Sequence, residues 1–69
     1  MTFGEWLRDK RLDKGETMQE FAQACDLSYV SISNIELGKK KPGMNALRKI
    51  AAHINMEYVE VRQIMKDTS

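Results

Sequence analysis

Residues 17–38 read TMQEFAQACDLSYVSISNIELG, and they carry the strongest structural signal in the chain. Thr17 followed by Glu20 has the form of a capping box. In such a box the Thr hydroxyl accepts from an orphan backbone N–H and the Glu side chain reaches back to the cap. This predicts a helix over residues 18–25 with Phe21, Ala22 and Cys25 on one side. Ala22 is small where a second helix has to approach. Asp26 follows where the chain must turn, and Asp tolerates the left-handed conformation better than most residues. Leu27 is an apolar plug, and Ser28 is a good N-cap for another helix. At 100° per residue, Ile32 and Ile35 of that helix point one way, while Tyr29, Val30, Ser33, Asn34 and Leu37 point the other. Gly38 ends it as a left-handed cap.

Two short helices around a tight turn, the second with an uncharged outer face, make a helix-turn-helix pattern. Its second helix is a candidate for insertion into the DNA major groove. The charge distribution points the same way. The 69-residue chain carries a formal net charge of only +1. Yet residues 17–37 hold the acids Glu20, Asp26 and Glu36 and no Lys or Arg. The bases lie on both sides: Arg8, Lys10, Arg11 and Lys14 before, then Lys39, Lys40, Lys41, Arg48 and Lys49 after. Folded to the rim of the reading helix, they become phosphate anchors around an uncharged reader; left in solution, they are ordinary solvated charges.

Nearer the N-terminus, Thr2 and Glu5 repeat the capping box and start a first helix over residues 3–14, with Phe3, Trp6 and Leu7 on one stripe and Gly15 as its stop. Residues 39–43 form a loop marked by Pro42-Gly43. A fourth helix is predicted over residues 44–54, with Met44, Leu47, Ile50, Ala51 and Ile54 at core spacing and Asn55 as its breaker. A fifth follows over residues 57–65, with Tyr58, Val61, Ile64 and Met65 apolar, and residues 66–69 are a frayed tail. The expected architecture is all-α: a five-helix domain spanning residues 1–69, with its helix-turn-helix core at 17–38.

A chain this short buries a modest fraction of its surface, so dimerisation is a plausible source of added stability. One cysteine excludes an internal disulfide. No apolar run approaches the ~18 residues of a membrane span and no signal peptide is evident, so a cytoplasmic location is the expectation. There is no phosphate-binding Gly-rich loop, no paired nucleophile and base, and no metal cluster, so neither an enzyme nor a cofactor is indicated. Cys25 reads as a small core residue. His53 has no Cys or carboxylate at metal-ligand spacing and reads as a surface or half-buried helix residue.

With these elements in place the chain resembles the phage repressor/Cro-like helix-turn-helix family, the xenobiotic-response-element type, from about residue 3 to residue 65. The likeness rests on Arg11 and Gly15, then Glu20-Phe21-Ala22, Leu27-Ser28, Ile32-Ser33, Ile35-Glu36, Gly38-Lys39, Pro42 and the run Leu47-Arg48-Lys49-Ile50-Ala51. It implies a compact lambda-repressor-like five-helix fold that acts as a homodimer on a palindromic operator in double-stranded DNA. It also implies that Arg11 and Glu36 form a structural salt bridge tying the first helix to the third. Tyr29, Val30, Ser31 and Asn34 fall where the family reads bases, and Lys39, Lys40 and Lys41 lie in a loop that meets phosphates. Three positions depart from the family. Met18 stands where a phosphate-contacting Gln is common, with Gln19 one residue later; Asp26 replaces the usual turn Gly; Glu16 occupies a place that is commonly apolar.

Chemistry assigns the readers. The Asn34 amide can make two hydrogen bonds to adenine N6 and N7. Val30 and the Tyr29 ring can meet thymine methyls. Ser31 and Ser33 are small polar residues on or near the same face. The phosphate set is Lys39, Lys40, Lys41, Lys10, Gln19 and Ser28, the last also explained by capping alone. Without Arg on the third helix, bidentate guanine readout there is disfavoured and A·T-leaning contacts are expected. The expected activity is sequence-specific repression by promoter occlusion. The alternative is a protein-interaction module on the same fold, with Tyr29, Val30 and Leu37 meeting a partner such as a toxin or an anti-repressor. For the dimer surface, the fifth helix and the loop before the fourth are the candidates, through Tyr58, Val61 and Met65.

Overall fold

A computed structural model describes residues 1–68. Among them the helices are α1 (Phe3–Asp13), α2 (Met18–Ala24), α3 (Tyr29–Glu36), α4 (Met44–His53) and α5 (Tyr58–Thr68), with no strand. Both capping boxes form. The Thr2 hydroxyl accepts from the Glu5 N–H at 3.1 Å while the Glu5 carboxylate accepts from the Thr2 N–H at 2.8 Å. Thr17 and Glu20 do the same at 3.1 and 2.9 Å. Ser28 caps α3 by accepting from the Ser31 N–H. Gly43 at the start of α4 has no side chain with which to cap it.

The first four helices end by one device. Each is followed by a residue at positive φ: Gly15 at 68°, Asp26 at 56°, Gly38 at 76° and Asn55 at 58°. Around each, two backbone N–H groups fold back onto the last turn. After α2, Asp26 donates to the Gln23 carbonyl and Leu27 to that of Ala22; after α3, Gly38 donates to Ile35 and Lys39 to Asn34. This is the Schellman pattern, which satisfies carbonyls that would otherwise be orphaned. Asp and Asn serve where Gly is usual because their short polar side chains tolerate the left-handed region.

Every helix contributes to one core. Leu7, Phe21, Ile32, Leu47, Ile50 and Val61 are fully buried, with Phe3, Ala22, Cys25, Ile35 and Ala51 around them. α2 packs on α3, α1 on α3 and α5, and α4 on α5. α1 and α3 approach each other closely at Gly4. Gly4 is buried, and a Cβ there would lie 2.4 Å from the Ile35 carbonyl oxygen and 2.5 Å from that of Glu36. Only glycine lets α1 lie against the C-terminal carbonyls of α3.

Three sequence expectations need correction. Residues 66–68 are not a frayed tail: α5 runs to Thr68, whose hydroxyl donates to the Ile64 carbonyl at 2.8 Å, and Gln63 bonds Asp67 one turn on. Ser69 lies outside the described residues. Met44 is 57% exposed, because the first residue of α4 projects beyond the layer that Leu47, Ile50 and Ala51 fill. Val61 is fully buried in its own subunit's core and has no surface to offer a dimer. No described helix is long and apolar enough to cross a membrane.

Candidate nucleic-acid interface

α3 buries Ile32 and Ile35 and turns its other side outward. Tyr29, Val30 and Leu37 are 49%, 63% and 65% exposed, while Ser31, Ser33 and Asn34 are half-buried at the edges of that face. None of these side chains is charged. Among the described residues the Asn34 side-chain amide makes no hydrogen bond to protein, so both its donor and its acceptor are open. Its backbone carbonyl is engaged by the Lys39 and Lys40 N–H groups, which fixes the loop to the end of the reading helix. The Ser28 hydroxyl is committed. It accepts from the Ser31 N–H at 3.0 Å and donates to the Ser31 hydroxyl at 2.9 Å.

What holds α3 in place is an ion pair of unusual reach. Arg11 Nε lies 2.7 Å from Glu36 Oε2 and Nη2 lies 3.0 Å from Oε1, a two-pronged contact between α1 and the last turn of α3. The third prong, Nη1, donates to the Glu16 carbonyl at 2.9 Å. Both side chains are almost fully buried, and the hydrogen bond to Glu36 raises the Arg11 pKa above its already high ordinary value. With every prong occupied, the buried charge is compensated, which a planar guanidinium does better than an ammonium. The network continues. Glu16 Oε1 lies 2.7 Å from His53 Nε2 on α4, and the His53 ring sits edge-on to Phe21 with centroids 5.1 Å apart. A polar pair thus fills the position at residue 16 where the resembling family commonly has an apolar side chain. His53 found its carboxylate 37 residues away, beyond the reach of any local spacing rule.

Some basic residues are engaged within the fold and others are not. Lys10 Nζ rests 5.5 Å from the Trp6 ring centroid, and Arg48 lies 5.0 Å from that of Tyr58. Lys49 bonds the Asp26 carbonyl at 3.2 Å and its carboxylate at 3.4 Å, bracing the turn between α2 and α3 from α4. These cations are occupied by the fold. Lys39, Lys40 and Lys41 are exposed and, among the described residues, form no ion pair. Lys40 and Lys41 border a groove of about 280 Å³ with Phe3, Ile35 and Met65. Gln19 is exposed in the first turn of α2. Met18 beside it is half-buried and lines a second groove with Arg8, Ser33 and Leu37.

Cys25 is buried at the C-terminus of α2, and desolvation pushes its thiol pKa from about 9.0 up to about 11. At neutral pH it is a protonated thiol without nucleophilic character.

Two helices about a tight turn, the second exposing an uncharged face with free cations at its end, define the class of helix-turn-helix DNA-binding domains. The chain belongs to this family: residues 7–61 match the family described as Helix-turn-helix. An uncharacterized HTH-type transcriptional regulator of Bacillus subtilis (strain 168), YqaF, is 32% identical over 54 residues, covering 78% of this chain and 71% of its own. Two crystal structures of the clp gene regulator ClgR from Corynebacterium glutamicum share the fold. One superposes with a TM-score of 0.76 at 28% identity, over 94% of this chain and 69% of that one. The other gives 0.77 at 27% identity, over 96% and 85%. The protein is a DNA-binding transcriptional regulator of the Cro/CI-like helix-turn-helix kind, a non-enzymatic family.

Proposed function

We propose that the chain acts as a homodimer on a two-fold symmetric operator and represses by occluding a promoter. The α3 helix of each subunit enters the major groove, in half-sites ~34 Å apart. The observation that carries this reading is the outer face of α3: exposed, uncharged, rigidly held through Glu36, and followed at once by three free lysines. Asn34, with its amide unengaged, reads adenine. Tyr29 and Val30 contact thymine methyls, and Ser31 and Ser33 border them. Lys39, Lys40 and Lys41 anchor phosphates next to the reading helix, with Gln19 at the start of α2. Ser28 is placed to cap α3 first, and any phosphate contact it makes draws on a hydroxyl already used twice. Lys10 reaches phosphate only by leaving the Trp6 ring.

The test is a selection of random duplexes against the purified protein at two salt concentrations, repeated with Asn34→Ala. The expected result is a symmetric, A·T-leaning consensus whose affinity falls steeply with salt. Loss of a bidentate adenine contact costs about 1–3 kcal/mol, or roughly 5- to 150-fold, at one base position per half-site. An invariant guanine opposite α3 overturns the assigned readout. No enrichment at either salt overturns operator binding and favours the interaction-module reading, for which the exposed Tyr29, Val30 and Leu37 are the contact surface.

A further inference from the structure

α3 carries no Lys or Arg, and the cations that follow it lie to one side. Lys40 and Lys41 share their groove with Thr2, Phe3 and Gly4, on one flank of the α1 N-terminus. The other flank carries a different groove, of about 320 Å³, lined by Glu5, Arg8, Arg11, Met18, Ser33, Glu36 and Leu37. Ser33 and Leu37 belong to the outer face of α3, so this groove opens onto the reading surface itself. Its charges do not all count equally. Arg11 and Glu36 neutralise each other through two hydrogen bonds. Glu5 turns its carboxylate to the Thr2 N–H at the start of α1, where the helix dipole offsets its charge. Arg8 is exposed and, among the described residues, forms no ion pair. It is the cation of this groove that the fold leaves free.

Resting on the operator-binding reading above, we propose that Arg8 is a DNA-backbone contact. Its guanidinium, reaching from α1 past Met18 and Leu37, takes a phosphodiester on the flank of α3 opposite Lys40 and Lys41. Backbone contacts on both sides of the α3 C-terminal end then fix the helix in the groove, while its uncharged face reads the bases. Arg suits the role because its planar fork matches phosphate bidentately. Two α1 cations two residues apart therefore do different things: Lys10 lies over Trp6, and Arg8 faces the DNA.

The experiment compares the wild type, Arg8→Gln and Lys10→Gln on the selected operator and on random duplex across a salt series. Gln keeps helix propensity at both exposed and half-exposed sites, and a thermal melt of each variant confirms folding. Arg8→Gln is expected to weaken both duplexes by the same factor and to reduce the log–log salt slope by about 0.9 per subunit. The wild-type advantage per subunit then shrinks roughly 3.5-fold between 50 and 200 mM salt. Lys10→Gln is expected to change the slope by less. A folded Arg8→Gln variant with the wild-type slope overturns the assignment while leaving operator binding standing. Loss of discrimination between operator and random duplex also overturns it, because that marks Arg8 as a base reader. A wild type that binds neither duplex overturns both this contact and the reading beneath it.

Discussion

Replacing Gly4 by Ala sets two physical effects against each other with opposite signs. Helix propensity favours the change: Ala in place of Gly within a helix is worth up to ~1 kcal/mol. Sterics oppose it. The new Cβ would meet the Ile35 and Glu36 carbonyl oxygens at 2.4 and 2.5 Å and the Glu36 carbonyl carbon at 2.8 Å. Ordinary C···O contacts begin near 3.3 Å, so α1 and α3 must separate by about 0.9 Å. The obstacle is backbone and cannot swing aside as a flexible side chain would. A gap of that size forfeits a quarter to a half of the dispersion attraction across the contact. It also stretches the Arg11–Glu36 pair, whose shorter bond is 2.7 Å. Overpacking of this kind costs ~1–3 kcal/mol. After the propensity gain, a net loss of about 1 kcal/mol is expected, which for a domain of this size lowers Tm by roughly 4–8 °C. Thermal denaturation followed by circular dichroism at 222 nm measures it directly. A Gly4→Ala protein that melts at or above the wild-type temperature would show that the Cβ is accommodated without separating the helices.

Other consequences follow from the same geometry. Glu36→Ala strands the Arg11 guanidinium in a buried site and should cost on the order of 3 kcal/mol, read as a fall in Tm of roughly 12–24 °C; an unchanged melting curve would remove the ion pair from the account of stability. Gly43→Ser gives α4 the side-chain cap it lacks, at a backbone φ of −73° with open space around it; a stabilisation of about 0.5–1 kcal/mol should appear as a higher urea midpoint with unchanged m-value. Cys25 has its pKa raised on folding, so its contribution is fully present below pH 9 and lost as pH rises through about 11. The wild type should therefore lose about 2 kcal/mol more than Cys25→Ala between pH 8 and pH 10.5, measured by denaturant titration at each pH; parallel losses would exclude the thiol as the cause.

The helices and their punctuation are encoded locally. Thr2 with Glu5, Thr17 with Glu20, Ser28, Asp26 and Gly38 each act on backbone groups within a few residues, so their effect is written in local order and could be read without the fold. The inward set Phe21, Ala22, Ile32, Ile35, Leu47 and Ile50 followed from periodicity for the same reason. The outward face of α3 came with it, as the complement of that set. Where periodicity failed, the cause was position relative to other helices: Met44 has core spacing but overhangs the core, and Val61 was offered to a partner but is enclosed by its own subunit. The third helical turn of α5 formed because Thr68 could bond back to Ile64 and Gln63 to Asp67, local bonds that an apolar pattern does not register.

Which distant groups meet depends on how the helices pack. That Gly4 must be glycine depends on the Ile35 and Glu36 carbonyls, more than 30 residues on; a lone Gly inside a helical pattern was the available signal. The Glu16–His53 pair spans 37 residues, and neither partner announces the other. The division of labour between Lys10 and Arg8 is a matter of about 200° of rotation around α1, which composition does not specify. Short-range hydrogen bonds and side-chain periodicity fix each helix on its own. The angle and depth at which two helices pack is fixed by all their contacts at once, and it is that packing which turns an uncharged helix face and scattered cations into one surface.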